Sequence, residues 1–229
     1  MRRRFSYHTP DDVYEATLDG LLEPGSSWLD VGCGRDLFPN NRGLGQALAS
    51  RCRRLVGVDP APTILENPDV HEAVQSSIED FQADGEFDLV TLRMVAEHVE
   101  QPERVLGVLA GCTRPGGLVV VYTVNRFSPV PLLTGVVPFA LRHPVKRLLW
   151  GTEKKDTFPT WFRMNTRGRL GALFGGHGFS EVGFHHLDDC RSFSRFRPLL
   201  FAELCARAVL RRLGLGYPEN CLLGIYRRS

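Results

Sequence analysis

The sequence predicts an α/β fold in which a mostly parallel sheet carries helices on both faces. Three observations lead there. Short apolar strands alternate with helical segments, which is typical of a parallel sheet. The strand at 27–31 runs into the glycine turn Gly32-Cys33-Gly34, and the next strand, at 54–59, ends on Asp59. A glycine turn followed by a strand that ends on an acid predicts a nucleoside site at the carboxyl edge of the sheet.

The elements before the second strand follow from local signals. Thr9-Pro10-Asp11-Asp12 predicts a helix start, because threonine caps, proline fits the first helical position and acids suit the positive end of the helix dipole. Pro24-Gly25 ends this helix. Between the two strands we expect a loop over Arg35–Gly43, placed to shape the pocket or its entrance, and then a helix from Leu44 through Ala49.

The second half continues the alternation after an interruption. Pro60-Ala61-Pro62 excludes an immediate regular helix, since proline lacks the backbone donor. The elements predicted after it are an edge strand at Val70–Val74, a strand at Phe87–Leu92, a helix at Pro102–Gly111, a turn at Arg114–Gly117, a strand at Leu118–Val124, a helix that starts at Asn165 or Thr166 and ends at Gly178, and a hairpin-like pair near 181–187 and 221–227.

Two segments interrupt this alternation within what we expect to be a single domain, 1–229. The first, 126–163, is rich in proline and apolar residues and leaves the end of the strand at Val124. Because ligands of open α/β sheets bind beyond the carboxyl ends of the strands, this segment is predicted to be a substrate lid. The second, 190–215, has the spacing of an amphipathic helix and is predicted to be an added helical segment.

The composition of the chain excludes several kinds of site and partner. The chain has 229 residues, a net charge of +2 and six scattered cysteines without a C-x-x-C pair. These features predict no metal site, no disulfide framework and no nucleic-acid partner, and no segment reaches the roughly 18 apolar residues of a membrane span. A reduced, cytoplasmic protein is therefore expected, with its oligomeric state open. The arginines at 2–4 and 191–212 are interpreted as solvated faces, with an acidic partner or a membrane surface as the alternative.

The glycine turn distinguishes between nucleoside ligands. The third glycine of a dinucleotide turn is absent after Gly34, and Asp30 would repel a pyrophosphate but suits the cationic amino and sulfonium groups of S-adenosylmethionine (SAM). The pattern D-x-G-x-G followed by V-G-V-D resembles the class I SAM-dependent methyltransferases, in the small-molecule branch that includes ubiquinone/menaquinone-type enzymes. The resemblance implies a Rossmann-like, seven-stranded, mostly parallel sheet with one antiparallel strand, with SAM as cofactor and S-adenosylhomocysteine as product.

The resemblance also implies where the cofactor lies. Taken alone, the glycines could form a plain strand–helix turn, Asp59 could cap a helix, and Met94 could belong to the core. Taken together they indicate a cofactor site with five groups of residues. Its residues are Asp30 near the amino-acid moiety, Gly32, Cys33 and Gly34 in the turn, Asp59 and Pro60 at the ribose, Ser77, Ile78 and Glu79 at the adenine, and Arg93 and Met94 at the methionine half.

Methyl transfer requires an aligned acceptor and, for some acceptors, removal of a proton. The base candidates are His98, His143 and His8, because imidazole titrates near neutrality. His98 belongs to a Glu97-His98 pair that relatives of different chemistry share, which favours a structural histidine under the site. The residues predicted to contact substrate are Tyr7, Tyr122, Asn125, Trp161 and Arg163.

The sequence therefore predicts methyl transfer from SAM to a small, apolar or natural-product-like acceptor, with the acceptor atom (O, N or C) open. The alternatives are a methyltransferase acting on a protein or RNA, and a SAM-binding protein without methyl transfer. Amino-directed nucleic-acid enzymes carry N/D-P-P-Y where this chain has Leu92-Arg93-Met94-Val95, which disfavours that subclass. Peripheral membrane contact through Arg142–Trp150 is a further, less favoured hypothesis.

Overall fold

The computed structural model describes residues 2–128, 159–190 and 196–229 and contains a seven-stranded sheet. The strands are β1 (Ser27–Val31), β2 (Arg54–Asp59), β3 (Glu72–Gln75), β4 (Phe87–Arg93), β5 (Thr113–Val124), β6 (Phe179–Asp188) and β7 (Glu219–Arg228). Their order is β3-β2-β1-β4-β5-β7-β6. Strand β7 runs antiparallel to β5 and β6, and the other pairings are parallel, which confirms the predicted mixed sheet with its hairpin-like last pair.

Helices cover both faces of this sheet. The α-helices are α1 (Pro10–Leu21), α2 (Arg42–Arg51), α3 (Pro102–Cys112), α4 (Arg167–Gly176) and α5 (Arg197–Arg212). On one face, α1 and α2 pack Leu18 and Leu48 around Trp28 of β1. On the other, α3 and α4 bury Leu106 and Phe174 in a cluster that includes Leu29 of the same strand. Alternate residues of β1 thus serve opposite cores, as the twofold side-chain period of a strand requires.

The first helix begins where the sequence predicts, because its first turn is capped reciprocally. The Thr9 hydroxyl accepts from the Asp12 N–H at 3.1 Å, and the Asp12 carboxylate accepts from the Thr9 N–H at 2.7 Å. Such a capping box satisfies two backbone donors that the helix cannot. On the buried side of α1, the Tyr14 ring stacks on that of Tyr122, with centroids 5.1 Å apart. The helix is thereby fixed against the end of β5.

The long connection after the glycine turn has a packing role. Leu37 and Phe38 are buried beside Trp28, and Asn41 donates to the Glu15 carboxylate at 2.7 Å. The loop thus lies under α1 and is held by it. The helix that follows, α2, begins at Arg42, two residues before the predicted start at Leu44.

Two more predicted elements differ from the structure. The edge strand begins at Glu72 rather than Val70. The residues predicted as a turn, Arg114–Gly117, belong to β5: Phe87 pairs with Thr113 while Leu89 pairs with Leu118, so the chain bulges between these pairs and resumes the same strand. Gly116 has a φ of 77°, which the bulge requires and glycine adopts without strain. Residues 114–117 have the composition of a turn, but strand pairing on both sides of them makes them part of one strand.

Most of the predicted lid lies outside the described residues. Of the segment 126–163, only 126–128 and 159–163 are described, and the region Arg142–Trp150, including His143, is not among them. Helix α5 lies within the predicted helical segment 190–215. No helix of the described residues is both long and apolar enough to cross a membrane.

Candidate cofactor site

A cavity of about 310 Å³ opens at the carboxyl ends of β1, β2 and β4. This is the edge where open α/β sheets bind their ligands. The predicted site residues that line it are Gly32, Asp59, Pro60, Ser77, Ile78, Glu79, Met94 and His98. The structure thus brings the turn, the acid of β2, the segment after β3 and the segment after β4 around one space.

The glycine turn forms one wall. Gly32 has a φ of 72°, and a Cβ atom built there would lie 2.2 Å from Cγ2 of Val95. Its N–H donates to the Val58 carbonyl at 2.7 Å, which closes the turn against β2. Gly34 also lies in the left-handed region, at φ 55°. Only glycine combines this backbone conformation with so close an approach of the neighbouring segment.

Asp59 is held rigidly on the cavity wall by backbone donors. Its Oδ2 accepts from the Gly34 N–H at 3.0 Å, and its Oδ1 accepts from the Ala61 N–H at 2.8 Å. A carboxylate has about four lone-pair sites, so each oxygen retains capacity for one more hydrogen bond. The carboxylate can therefore receive two neighbouring hydroxyl groups, as a ribose presents them, without losing its own support.

Asp30 lies beneath the turn rather than on the cavity wall. It is buried, and its Oδ1 accepts from the Thr91 hydroxyl at 2.5 Å, while Trp28 Nε1 donates to the same hydroxyl oxygen at 2.7 Å. Burial raises the pKa of Asp30, and the hydrogen bonds from Thr91 and Cys33 oppose that rise. The Cys33 thiol is also buried, and its sulfur accepts from the Asn67 amide at 3.2 Å. Both residues therefore shape the turn from below.

Arg93 is the last residue of β4, and Met94 follows it beside the turn. Arg93 is half-buried, and its positive charge lowers the pKa values of Asp30 and Glu15, which burial raises. Among residues 2–128, 159–190 and 196–229, no hydrogen bond or ion pair involves its guanidinium. Met94 has a φ of 55° and its N–H donates to the Tyr122 carbonyl at 2.8 Å. That conformation turns the chain so that Met94 and Val95 line the cavity.

The far end of the cavity is formed by the segment after β3. Ile78 is buried to 5% exposure and presents an apolar wall. Ser77 is held by Asp80, since its hydroxyl donates to the carboxylate at 2.9 Å and accepts from the Asp80 N–H at 3.2 Å. The Ser76 N–H donates to the Asp59 carbonyl at 3.1 Å. These bonds fix an apolar surface flanked by polar groups next to Asp59.

His98 also lines the cavity. Its Nδ1 lies 2.7 Å from the Pro159 carbonyl oxygen. A carbonyl only accepts, so Nδ1 carries the hydrogen and, in the neutral ring, Nε2 is the nitrogen that can take a proton. The geometry therefore fits both interpretations of His98, as a structural link to the segment at 159–163 and as a base.

Glu97, which the sequence interpretation left outside the site, organises the adjoining region. It is buried, its Oε2 accepts from the Thr123 hydroxyl at 2.7 Å, and Asn165 donates to Thr123 Oγ1 at 2.7 Å. Burial raises the pKa of Glu97. Its carbonyl accepts from the Trp161 N–H at 2.8 Å. The Glu97-His98 pair was the available signal, but the sequence does not show that this acid would be buried against β5.

The predicted substrate residues do not line the cavity, and two of them are buried elsewhere. Tyr7 is 3% exposed and its hydroxyl accepts from the Cys190 N–H at 2.8 Å. The Tyr122 hydroxyl donates to the Asp11 carboxylate at 3.0 Å. Both tyrosines hold the segments around α1 in place.

The other three lie farther along the same edge. Asn125 donates to the Glu219 carbonyl at 3.0 Å. The Arg163 guanidinium lies 5.1 Å from the centroid of the Trp161 ring and also contacts the Glu100 carbonyl at 2.5 Å. Arg163 lines a neighbouring groove of about 790 Å³ in front of α3. His8, the remaining described base candidate, is exposed just before α1 and is not a cavity-lining residue.

Within the described part of the chain, no group of three or more His, Cys, Asp or Glu side chains is placed to hold a metal ion. All six cysteines are free thiols, five of them buried.

Residues 2–182 match the family model described as a methyltransferase domain. The chain is 32% identical over 124 residues to a ubiquinone biosynthesis O-methyltransferase of Xanthomonas campestris pv. campestris (strain B100), covering 50% of this chain and 49% of that protein. The chain thus spans about half the length of the curated relatives it matches.

Solved structures show the same fold. A SAM-dependent methyltransferase from Mesorhizobium loti aligns with a TM-score of 0.59 at 16% identity, over 96% of this chain and 98% of that chain. The N-methyltransferase NodS from Bradyrhizobium japonicum WM9, in complex with S-adenosylhomocysteine, aligns with a TM-score of 0.56 at 16% identity, over 99% and 91%. At this identity the likeness concerns the architecture alone.

Proposed function

The chain belongs to the SAM-dependent methyltransferase family, and from that premise we propose that it transfers the methyl group of SAM to the hydroxyl of a small, apolar or natural-product-like acceptor. The observation that carries the proposal is the Asp59 carboxylate. It is fixed by two backbone donors on the wall of a cavity that begins at the left-handed Gly32 turn. That arrangement suits a ligand that presents two neighbouring ribose hydroxyls.

The residues present fit the three parts of SAM. Asp59 would accept from the ribose hydroxyls, and Ile78 would pack against the adenine, with Ser77 and Glu79 at its polar edge. Gly32 would allow close backbone approach beside the methionine half. Arg93 is a half-buried cation next to the same turn, and it suits the carboxylate of that half.

SAM supplies the electrophilic methyl group, so the chain has to orient the acceptor, exclude water and hold a proton. We assign the last task to His98. Its ring lines the cavity and its Nδ1 donates to the Pro159 carbonyl, so Nε2 is the nitrogen that would accept a hydroxyl proton in the neutral ring. Imidazole is suited to that role because, as a class, histidine side chains exchange a proton within the physiological pH range.

The hydroxyl acceptor is supported by the relative from Xanthomonas campestris, whose name specifies an O-methyltransferase of ubiquinone biosynthesis. An apolar acceptor is supported by the proline-rich, apolar composition of the segment 126–163, which follows directly from β5. A cytoplasmic location belongs to the same proposal and is supported by six free thiols.

Calorimetry with S-adenosylhomocysteine tests the cofactor site, and methyl-labelled SAM tests the transfer. The labelled cofactor is incubated with the protein and a panel of phenols and hydroxylated apolar metabolites. Label is expected in an organic-soluble product that carries a new methyl ether. Label in protein or RNA instead would favour a macromolecular acceptor. Tight cofactor binding without S-adenosylhomocysteine formation across the panel would contradict methyl transfer.

A further inference from the structure

We propose that the outward face of α5, together with the flanking residues 196 and 213–215, binds the surface of an anionic phospholipid bilayer. We call residues 196–215 the α5 surface. The proposal does not depend on methyl transfer, since it concerns a part of the molecule that does not line the cofactor cavity.

The α5 surface is unusually apolar for a solvent-exposed helix. Six of the ten large hydrophobic side chains that the described residues expose lie in it: Phe196, Leu199, Phe201, Val209, Leu213 and Leu215, between 42% and 67% exposed. Positions 199, 202, 206, 209 and 213 repeat at intervals of three and four, and so follow one side of the helix. Patches of this kind mark an interaction site, whereas single exposed apolar residues do not.

The inward side of the same helix already packs against the rest of the protein. Leu200 and Leu204 are buried in a small cluster with Tyr7 and Cys190. Arg207 is buried, is paired with Asp188 and lies over the Tyr7 ring at 4.8 Å. The helix is therefore fixed to the body of the protein by one face and presents the other to solvent. A helix held in this way can lie flat on a surface without unfolding any part of the domain.

Charge identifies the kind of partner. Arg197, Arg211 and Arg212 are exposed on α5. The only acidic residue between positions 196 and 218 is Glu203, which is buried and accepts from the Tyr217 hydroxyl at 2.9 Å. The surface is thus cationic and apolar with no exposed carboxylate. Interfacial helices combine these two properties, because apolar side chains enter the acyl boundary while arginines meet anionic headgroups.

The same charges disfavour a second copy of this chain as the occupant. Pairing two α5 surfaces would bring arginines of one copy near arginines of the other without an acid to pair with. A bilayer that contains anionic lipid supplies the missing negative charge over the whole patch. The surface also continues to the N-terminal segment, since the rings of Phe5 and Phe201 meet edge to face at 5.7 Å. Bilayer contact would therefore lie close to the segment that leads into α1.

Vesicle co-sedimentation of the full chain tests the proposal. Binding is expected to vesicles of phosphatidylcholine mixed with phosphatidylglycerol, to weaken with added salt, and to be at least tenfold weaker on phosphatidylcholine alone. Replacing both Arg211 and Arg212 by Gln is expected to weaken partitioning onto the vesicles by about tenfold to thirtyfold. Each arginine near an anionic surface strengthens binding by about fivefold. The matched control is Arg42→Gln with Arg227→Gln, two exposed arginines outside the α5 surface.

A separate variant tests how much the apolar side chains contribute to vesicle binding. The triple change L199Q, V209Q and L213Q is expected to lower partitioning by tenfold or more while the circular dichroism spectrum and melting temperature stay at the wild-type values. The control L65Q with V182Q replaces exposed apolar residues elsewhere and is expected to bind vesicles like wild type. These variants alter no cavity residue, so S-adenosylhomocysteine affinity should stay constant in all of them.

Three results would overturn the proposal. The first is wild-type protein that does not sediment with phosphatidylglycerol vesicles. The second is binding that the apolar triple variant leaves unchanged, which would be non-specific adsorption of a basic protein. The third is a change of oligomeric state in sedimentation velocity, without vesicles, when the triple variant is compared with wild type. Failure of cofactor binding would instead contradict the proposed function and leave this inference standing.

Discussion

An acid lies at the carboxyl ends of β1 and β2 and another at those of β4 and β5, but the two acids are supported differently. Asp59, the last residue of β2, accepts from two backbone N–H groups and faces the cavity. Glu97, after β4, is buried and accepts from the Thr123 hydroxyl, which in turn accepts from Asn165. Backbone support leaves the first acid available to a ligand. Side-chain support uses the second acid to hold the segment at 159–165 over the sheet edge.

His98 stands between these two regions. Its ring lines the cavity with Asp59, and its Nδ1 donates to Pro159, whose segment Glu97 also holds through the Trp161 N–H. We therefore expect the two regions to have separate roles, one in cofactor binding and the other in positioning the acceptor. Changes on the β1–β2 side should alter cofactor affinity, and changes on the β4–β5 side should alter turnover or stability.

The largest effect is expected for His98→Asn. The amide can still donate to the Pro159 carbonyl but has no basic nitrogen, so kcat should fall by about a hundredfold or more while cofactor affinity stays within about twofold. Turnover is measured against pH with the acceptor that the labelling assay identifies. His8→Asn, a change at an exposed histidine outside the cavity, is the control. Equal loss in both variants would contradict the assignment of the base.

Asp59→Ala should weaken S-adenosylhomocysteine binding by on the order of a hundredfold, because it removes charge-assisted hydrogen bonds to two hydroxyls. The S-adenosylhomocysteine affinity of Asp59→Asn should lie between that of Asp59→Ala and that of wild type. Isothermal calorimetry measures these affinities. Asp84→Ala is the control, since that exposed acid pairs with Arg54 outside the cavity. A change of less than about threefold at Asp59 would remove the basis of the cofactor placement.

Gly32→Ala should lower the free energy of unfolding by about 2 kcal/mol or more, through left-handed strain and overpacking against Val95. Chemical denaturation measures it. Adding Val95→Ala should relieve the clash and recover part of the loss, but not the strain. Gly20→Ala, in α1 with no atom within 4 Å of the new Cβ, should leave stability equal or raise it by about 0.5–1 kcal/mol. Equal losses at both glycines would refute the special role of the turn.

The smallest effect concerns Glu97→Gln. Burial raises the pKa of Glu97 above its ordinary 4.5, so the folded state binds this proton more tightly than the unfolded chain. The stability it contributes is complete below pH 4.5 and is lost as pH rises through the folded pKa. Glutamine does not titrate and still accepts from Thr123. The variant should therefore be more stable than wild type near pH 7, with the difference disappearing in acid.

Urea unfolding over a series of pH values checks this expectation, and Glu103 supplies a control of opposite sign. Glu103 is exposed, and a hydrogen bond from its own backbone, aided by Arg169, lowers its pKa. Its contribution is lost as pH falls through the folded pKa, so Glu103→Gln should reduce the difference between neutral and acid stability. A Glu97 variant that is less stable than wild type at neutral pH would show that its ionised form supports the fold.

Much of the β1–β2 side follows from the sequence, because its signals are local. The glycines of the turn, Asp59 at a strand end and Thr9 at a helix start each act on backbone within a few residues, and the structure places them as expected. The prediction of a turn over Arg114–Gly117 is wrong because pairing with a distant strand overrides the local signal. Its residues are correct for a turn, but pairing with β4 on both sides of the bulge joins it to β5.

The sequence by itself determined the sheet, the glycine turn and the acid at the end of β2, since periodicity, chain reversals and backbone conformation are properties of neighbouring residues. Only the tertiary structure decided which acids face the cavity and which are buried. It placed Asp30 under the turn against Thr91, and Glu97 against Thr123 of another strand. It also left one face of α5 uncovered. Burial depends on which distant segments meet, and that information is spread over the whole chain rather than carried by any motif.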